Sequence, residues 1–271
     1  MMNISCVDLF CGAGGLTHGF VLEGVPVVAG IDMDPACRFP YEANNSAKFI
    51  ERDVSKVSAA ELTQLFGNAD WKILAGCAPC QPFSTYAQRY ALDGKDGKWG
   101  LLYEFARLAK GTRPDIITME NVPAVAKHSV FQDFVDTLKR LGYKVWFDVV
   151  DSSKYGVPQT RRRMVLLASL HGDIKMIQPT VERPKTVKQA IGHLRALSAG
   201  EAAPGDKLHV SSSLSPPHCQ RRTLSVLKFQ NQVVRGVTGQ RILLQNAIAQ
   251  KAVRATLAST HAWSGISLRQ P

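Results

Sequence analysis

The sequence predicts a doubly wound α/β fold over roughly residues 1 to 185, a parallel sheet with helices on both faces. Three observations carry this expectation. Short apolar runs of β type alternate with helical patterns, the rhythm of βαβ units. The strand runs are nearly continuous in apolar residues, as a sheet covered on both faces requires. The first run also enters a glycine-rich turn that opens a helix. In order, ISCVDLF is a strand, LTHGFVLEG a helix, VPVVAGID a strand and PACRFPYEANN a helix. WKILAGC is the next strand, followed by a glycine-rich loop to Gly100, the helix LLYEFARLAKG and the strand PDIITMEN. The amphipathic VFQDFVDTLKRLG and the strands KVWFDVV and MVLLASL complete the domain. Beyond Pro184 the signal weakens: TVKQAIGHLRAL reads as a helix, SAGEAAPGDK as a linker and SSSLSPPH as a turn.

With 271 residues and 45% hydrophobic content the chain buries a sizeable core. No apolar run approaches the roughly 18 residues of a membrane span, and MMNISCVDLF lacks a signal-peptide pattern, which favours a cytoplasmic address. The six cysteines are scattered through a chain too large to need staples, so reduced thiols are expected. The formal charge of +11 points to a polyanion, yet it is unevenly placed: no acid follows Asp206, and nine Lys or Arg lie from Lys207 onward. The body is close to neutral, and the tail is either a basic arm for phosphates or a segment whose charge has no function.

In DLFCGAGGL, Gly12, Gly14 and Gly15 allow a tight turn and a close ligand approach at the head of a helix. The third glycine of the dinucleotide fingerprint is replaced by Thr17, which disfavours NAD and leaves an ordinary structural turn as the competing reading. Asp32, at the end of the second strand in GIDMDP, stands where an acid takes ribose hydroxyls or caps the next helix. Cys77 and Cys80 in GCAPCQPFS have the spacing of a zinc knuckle or a redox pair. Zinc needs a second ligand pair that is not found at finger spacing, and a redox pair needs an exposed first thiol, whereas Cys77 ends an apolar strand and should be buried. A thiol beside a cofactor turn at a strand's C-terminal edge is placed as a nucleophile.

DLFCGAGG, GIDMDP, GCAPCQPFS, MENV and QTRRR, in this order, resemble the successive motifs of the cytosine-C5-specific DNA methyltransferases of bacteria and phages, over about residues 5 to 170. The resemblance implies a Rossmann-like methyltransferase sheet, S-adenosyl-L-methionine as cofactor and double-stranded DNA with a cytosine target as partner, for a protein of a restriction-modification system acting as a monomer. It implies that Cys80 adds to cytosine C6, its flanking prolines limiting backbone freedom. Glu120 would hold N3 and the exocyclic amine, with a carboxyl raised by burial if it donates to N3. Arg163 would contact cytosine O2 and Arg161 brace the site or a phosphate, with Arg162 toward solvent. On the cofactor side it implies Phe10 and the Gly12, Gly14 and Gly15 backbone for the methionine end, Asp32 for ribose, Met33 and Asp53 around adenine, and Leu101 beside it. Met33 departs from the aromatic residue sometimes found there, replacing stacking with thioether packing. PFSTYAQRYALDGKDGKWG resembles the segment that closes over the flipped base. Taken alone, Glu120 also reads as a capping or salt-bridged acid, and RRR as a solvated face.

Three readings of the whole chain follow: a DNA cytosine-C5 methyltransferase, a remnant that binds cofactor or DNA without catalysis, and a tRNA cytosine-C5 methyltransferase, since RNA-modifying relatives share the motif order. The target-recognition region and the later Gly-Asn motif of the family are not found in this chain, so residues 186 to 271 read as a remnant of the former, disordered or out of frame. Read one base out of phase from Gln232, QVVRGVTGQ permits Gly-Gly-Ala-Trp-Arg-Asp-Trp-Pro and QRILLQNAIA permits Glu-Asp-Leu-Ile-Ala-Glu-Cys-His, strings similar to bacterial members. A frameshift or truncation soon after about residue 220 is therefore expected. Sequencing the coding DNA tests it: the shifted frame should encode these strings and a later Gly-Asn motif, and a shifted frame without them refutes the frameshift.

Overall fold

In the computed structural model, which describes residues 3–79, 100–206 and 209–213, the apolar runs form one seven-stranded sheet. β1 (Ile4–Leu9) is buried throughout and lies near its middle. Helix α1 (Gly15–Leu22) leads to β2 (Val27–Asp32), then α2 (Arg38–Asn45) and β3 (Lys48–Glu51). Next come α3 (Ala59–Phe66), β4 (Trp71–Gly76), α4 (Gly100–Thr112), β5 (Ile116–Asn121) and α5 (Ser129–Arg140). The chain continues through β6 (Lys144–Asp151), β7 (Arg162–Ser169) and the short α6 (Val187–Ile191). The strand order is β3-β2-β1-β4-β5-β7-β6, which reverses direction between β1 and β4. A doubly wound sheet opens its crevice at that reversal, beyond the carboxyl ends of the strands.

The doubly wound class holds, with one correction to the all-parallel sheet. β7 runs antiparallel to both neighbours, β5 and β6. Parallel neighbours need a crossover of a dozen or more residues, usually helical. Only ten residues separate β6 from β7, including the single 3-10 turn Ser152–Tyr155, so the chain turns back instead. Two elements not expected from the sequence also appear, β3 and α3, the latter opened by a capping box between Ser58 and Glu61. The helix expected over TVKQAIGHLRAL is confined to α6. Among the described residues no helix is long and apolar enough to cross a membrane.

Alternation along the strands divides the core in two. On one face Val7, Leu9, Leu74, Ile117, Met119 and Leu166 pack with Phe105 of α4 and Phe131 and Phe134 of α5. On the other, Cys6, Ile73, Ala75, Val165 and Leu167 pack with Leu16 and Phe20 of α1 and Tyr41 of α2. Asp8 points into this second layer, is fully buried, and accepts a hydrogen bond from Thr17 Oγ1 at 2.7 Å.

Burial pushes the Asp8 carboxyl up to about 7, the Thr17 bond pulling it down and neighbouring Asp32 pushing it further up. Between about pH 4 and 7 the folded chain keeps a proton that the unfolded chain has released, so Asp8 makes stability fall as pH rises through this window. A shift from 3.8 to about 7 corresponds to a cost on the order of 4 kcal/mol, fully present above pH 7. Asp8→Asn removes the ionisation. In urea unfolding, its stability relative to the unsubstituted chain should rise by a few kcal/mol between pH 4.5 and 8, and a pH-independent difference refutes the account.

Candidate active site

The carboxyl edge of the parallel strands gathers most of the residues singled out from the sequence. After β1 the backbone turns left-handed three times, at Phe10 (φ 57°), Gly12 (φ 52°) and Gly14 (φ 88°). Gly12 and Gly14 need to be glycine for different reasons. A Cβ on Gly12 would meet open space, so only its φ demands glycine, and the turn keeps room on its outer side. A Cβ on Gly14 would lie 2.3 Å from Asn45 Nδ2 and 2.7 Å from Tyr41 Cδ2, so here helix α2 also forbids a side chain. Gly15 begins α1.

Asp32, at the end of β2, holds the turn. Its Oδ2 accepts from the Gly12 N–H at 2.9 Å and its Oδ1 from the Asp34 N–H at 3.0 Å. The Gly12 amide is thereby committed to the protein, and what this glycine offers a ligand is space. Burial pushes the Asp32 carboxyl up, against the downward pull of the Asp34 and Gly12 N–H groups. The capping role considered for Asp32 belongs to Asp34, whose side chain accepts from Ala36 N. Met33 beside it is half-buried. Asp53 follows β3 and caps the next 3-10 turn, its Oδ1 accepting from Ser55 N at 2.9 Å. Phe10 and Leu101, in the first turn of α4, are buried in one apolar cluster with Ile31 and Ala78.

The chain leaving β4 crosses between these residues and the next group. Cys77 is half-buried rather than buried as expected, because it lies one residue past the end of β4, its N–H donating to Leu9 O at 3.3 Å. Ala78 O accepts from Asn121 Nδ2 at 3.0 Å, and Asn121 Oδ1 accepts from Val122 N at 2.8 Å. Asn121 thus clamps the approach to Cys80 onto the end of β5. It was missed as a site residue although it lies in MENV; the available signal was a buried-type position carrying an amide directly after the strand-end acid. Cys80 itself and residues 81–99, including the loop taken as a closing segment, lie outside the described residues.

Glu120 and the arginines meet on the sheet. Glu120 pairs with Val165 across β5 and β7, which makes Arg163, two residues away on the same face, its diagonal neighbour. Arg163 Nε donates to Glu120 Oε1 at 2.8 Å, with side chains only 16% and 13% exposed. The salt-bridged reading of Glu120 is therefore realised at the same edge as the expected site. Arg161 is half-buried and Arg162 exposed, matching the expected alternation. Buried Ser152 fixes the segment before β7: its N–H and Oγ both donate to Arg161 O, at 2.9 and 3.0 Å. With strands about 4.8 Å apart, β1 and β5 stand roughly 10 Å from each other across β4. That gap is bridged by the Cys77–Pro79 segment leading to Cys80.

Burial pushes the Cys11 thiol up, and the nearby Asp8 and Asp32 carboxylates add to the effect, so Cys11 in the turn stays protonated and is a poor nucleophile.

Residues 4–255 match the family model described as C-5 cytosine-specific DNA methylase. The chain is 47% identical over 226 residues to the type II methylase M.HgiDII of Herpetosiphon aurantiacus, covering 81% of this chain and 63% of that protein. It is 31% identical over 195 residues to the type II methyltransferase M.HindV of Haemophilus influenzae, covering 70% of this chain and 62% of that one. It thus spans less than two thirds of the length of these relatives. Among solved structures, the S. pombe Dnmt2 methyltransferase shares the fold with a TM-score of 0.61 at 15% identity, covering 94% of this chain and 96% of that chain.

Asn121→Ala removes the donor to a buried carbonyl. It should lower the unfolding free energy by about 1–3 kcal/mol, the cost of leaving such a group unpaired. Chemical denaturation measures this, and an unchanged stability would show that the Ala78 clamp carries no energy.

Proposed function

Because this chain belongs to the C-5 cytosine-specific DNA methylase family, we propose that it transfers a methyl group from S-adenosyl-L-methionine to C5 of cytosine in double-stranded DNA, with residues 1–185 carrying both the cofactor and the catalytic machinery. The observation that carries the reading is the Glu120–Arg163 pair, held on one face of the sheet at the edge where Asn121 clamps the approach to Cys80.

The β1–β2 side fits a nucleoside joined to an amino acid. Gly12 leaves open space beside a left-handed turn, Asp32 offers an acid at the strand end for ribose hydroxyls, and Phe10 and Leu101 belong to the apolar cluster beneath. Met33 and Asp53 would hold the adenine. S-Adenosyl-L-methionine, when bound, supplies an electrophilic methyl group.

The chain's own residues prepare cytosine to accept it. C5 of the free base is too electron-poor to attack a sulfonium methyl. The Cys80 thiolate forms a bond to C6 and displaces the C5–C6 π electrons toward C5 and N3. Glu120 holds the N3 and amine edge, fixed in orientation by Arg163 Nε. A guanidinium has five N–H donors, so Arg163 can hold Glu120 through Nε and Arg162 O through Nη1 and still donate to cytosine O2. Arg161 braces this group from the strand entry. As C5 bonds to the methyl carbon, the bond from that carbon to the sulfonium sulfur would break with both electrons staying on sulfur; loss of the C5 proton to solvent then restores the C5–C6 double bond and expels the Cys80 thiolate.

DNA containing 5-fluorocytosine tests the sequence of events, because fluorine cannot leave as the proton does. With S-adenosyl-L-methionine present, the full chain should form an adduct that survives denaturation, and Cys80→Ser should form none while still binding cofactor. Cys77→Ala should keep the adduct and cost only about 1 kcal/mol of stability. A chain that binds cofactor yet forms no adduct contradicts the proposal, as does loss of the adduct on Cys77→Ala alone.

A further inference from the structure

Behind the glycine turn lies a hydrogen-bonded chain that the chemistry above leaves unused. Asp8 sits opposite Gly30 in the β1–β2 register. The side chain missing at Gly30 is replaced by the Tyr41 ring: a Cβ there would lie 2.4 Å from Tyr41 Cζ and Oη. The same ring blocks a Cβ on Gly14. One tyrosine from α2 thus packs against both the β2 strand and the turn. Its hydroxyl lies 3.1 Å from Thr17 Oγ1, which lies 2.7 Å from Asp8 Oδ2.

Proton counting sets the direction. A threonine hydroxyl has one proton, and Thr17 Oγ1 donates it to Asp8 Oδ2, so Tyr41 donates to Thr17. Asp8, Thr17 and Tyr41 are all buried, which makes each missing bond costly. Asn45 of the same helix closes the arrangement: its Nδ2 donates to Tyr41 O at 2.8 Å, and the same atom stands over Gly14. The relay therefore joins β1, the first turn of α1 and α2 around the loop with three left-handed positions.

We propose that Tyr41, Thr17 and Asp8 form a positioning relay that holds the Gly12–Gly15 turn in the shape that accepts the methionine end of S-adenosyl-L-methionine. The relay rests on the assignment of that turn to the cofactor in the proposed function. None of the three residues needs to touch the ligand; they act through the turn. Thr17, the residue that breaks the dinucleotide fingerprint, has its role here: a glycine at this position would leave Tyr41 and Asp8 unconnected.

The test compares S-adenosyl-L-methionine with adenosine by calorimetric titration of the full chain, with the thermal midpoint recorded in parallel. Tyr41→Phe keeps the ring that fills Gly14 and Gly30 and deletes only the hydroxyl. It should weaken S-adenosyl-L-methionine by about three- to tenfold, the worth of one hydrogen bond, and leave adenosine within about twofold. Thr17→Val should weaken it further, and Thr17→Ser, which keeps the hydroxyl, should restore it. A general loss of stability would lower both affinities together, and that result overturns the relay, as does unchanged S-adenosyl-L-methionine affinity in Tyr41→Phe. Should Thr17→Val not fold, Tyr41→Phe and Thr17→Ser decide. If the unsubstituted chain itself fails to bind S-adenosyl-L-methionine, the cofactor assignment falls, which is distinct from failure of the relay.

Discussion

Three left-handed residues within five positions after β1 are the constraint on which the site depends. Such backbone is costly for Phe10 and tolerated at Gly12 and Gly14 because glycine has no Cβ. The turn persists because it is tied down from outside itself. Asp32 takes the Gly12 amide, and Tyr41 and Asn45 press against Gly14 from α2. The tie joins β1 to β2 at the strand order's outer half, while Cys77 N–H on Leu9 O joins β1 to β4 on the inner side. Loss of the turn would therefore loosen both neighbours of β1 at the carboxyl edge of the sheet.

Strand direction decides which residues reach that edge. β1, β2, β4 and β5 bring their C-terminal ends to it, and so deliver Phe10, Asp32, Cys77 and Glu120. An arginine motif that precedes its strand arrives at the same edge only if the strand runs the other way. β7 does so, and its antiparallel register on β5 puts Arg163 diagonal to Glu120. The departure from an all-parallel sheet is thus a requirement of the site. Ser152, buried at the end of β6, fixes the returning segment through Arg161 O, so the edge hairpin and the arginine positions are set together.

Much of this was readable in the residues, and the failures have physical causes. The βαβ rhythm, the glycine turn, Asp32 beside it and the in-out alternation of Arg161, Arg162 and Arg163 all rest on local pattern, and local pattern survives folding. β3 was invisible because its four residues include one fully buried apolar side chain, Phe49, too little for a periodic signal. α3 was legible in its Ser58–Glu61 box. The helix expected near residue 190 stops at Ile191: Ile191 and Leu194 are each 45% exposed, and among the described residues no layer covers them. Asn121, Tyr41 and the Arg163–Glu120 pair depend on neighbours 24 to 43 residues away, which no window along the chain contains. Cys80, the residue to which the motifs point first, lies outside the described residues.

Transfer of a methyl group to carbon 5 of cytosine in DNA is read from its product. The most direct measurement incubates the full chain with S-adenosyl-L-methionine labelled in its methyl group and either duplex DNA or tRNA, then hydrolyses each to nucleosides and identifies the labelled one. Label is expected in 5-methyldeoxycytidine from duplex DNA, with none in tRNA. Label in an exocyclic methylamino nucleoside, label confined to tRNA, or no label from a chain shown to bind both S-adenosyl-L-methionine and DNA would contradict it.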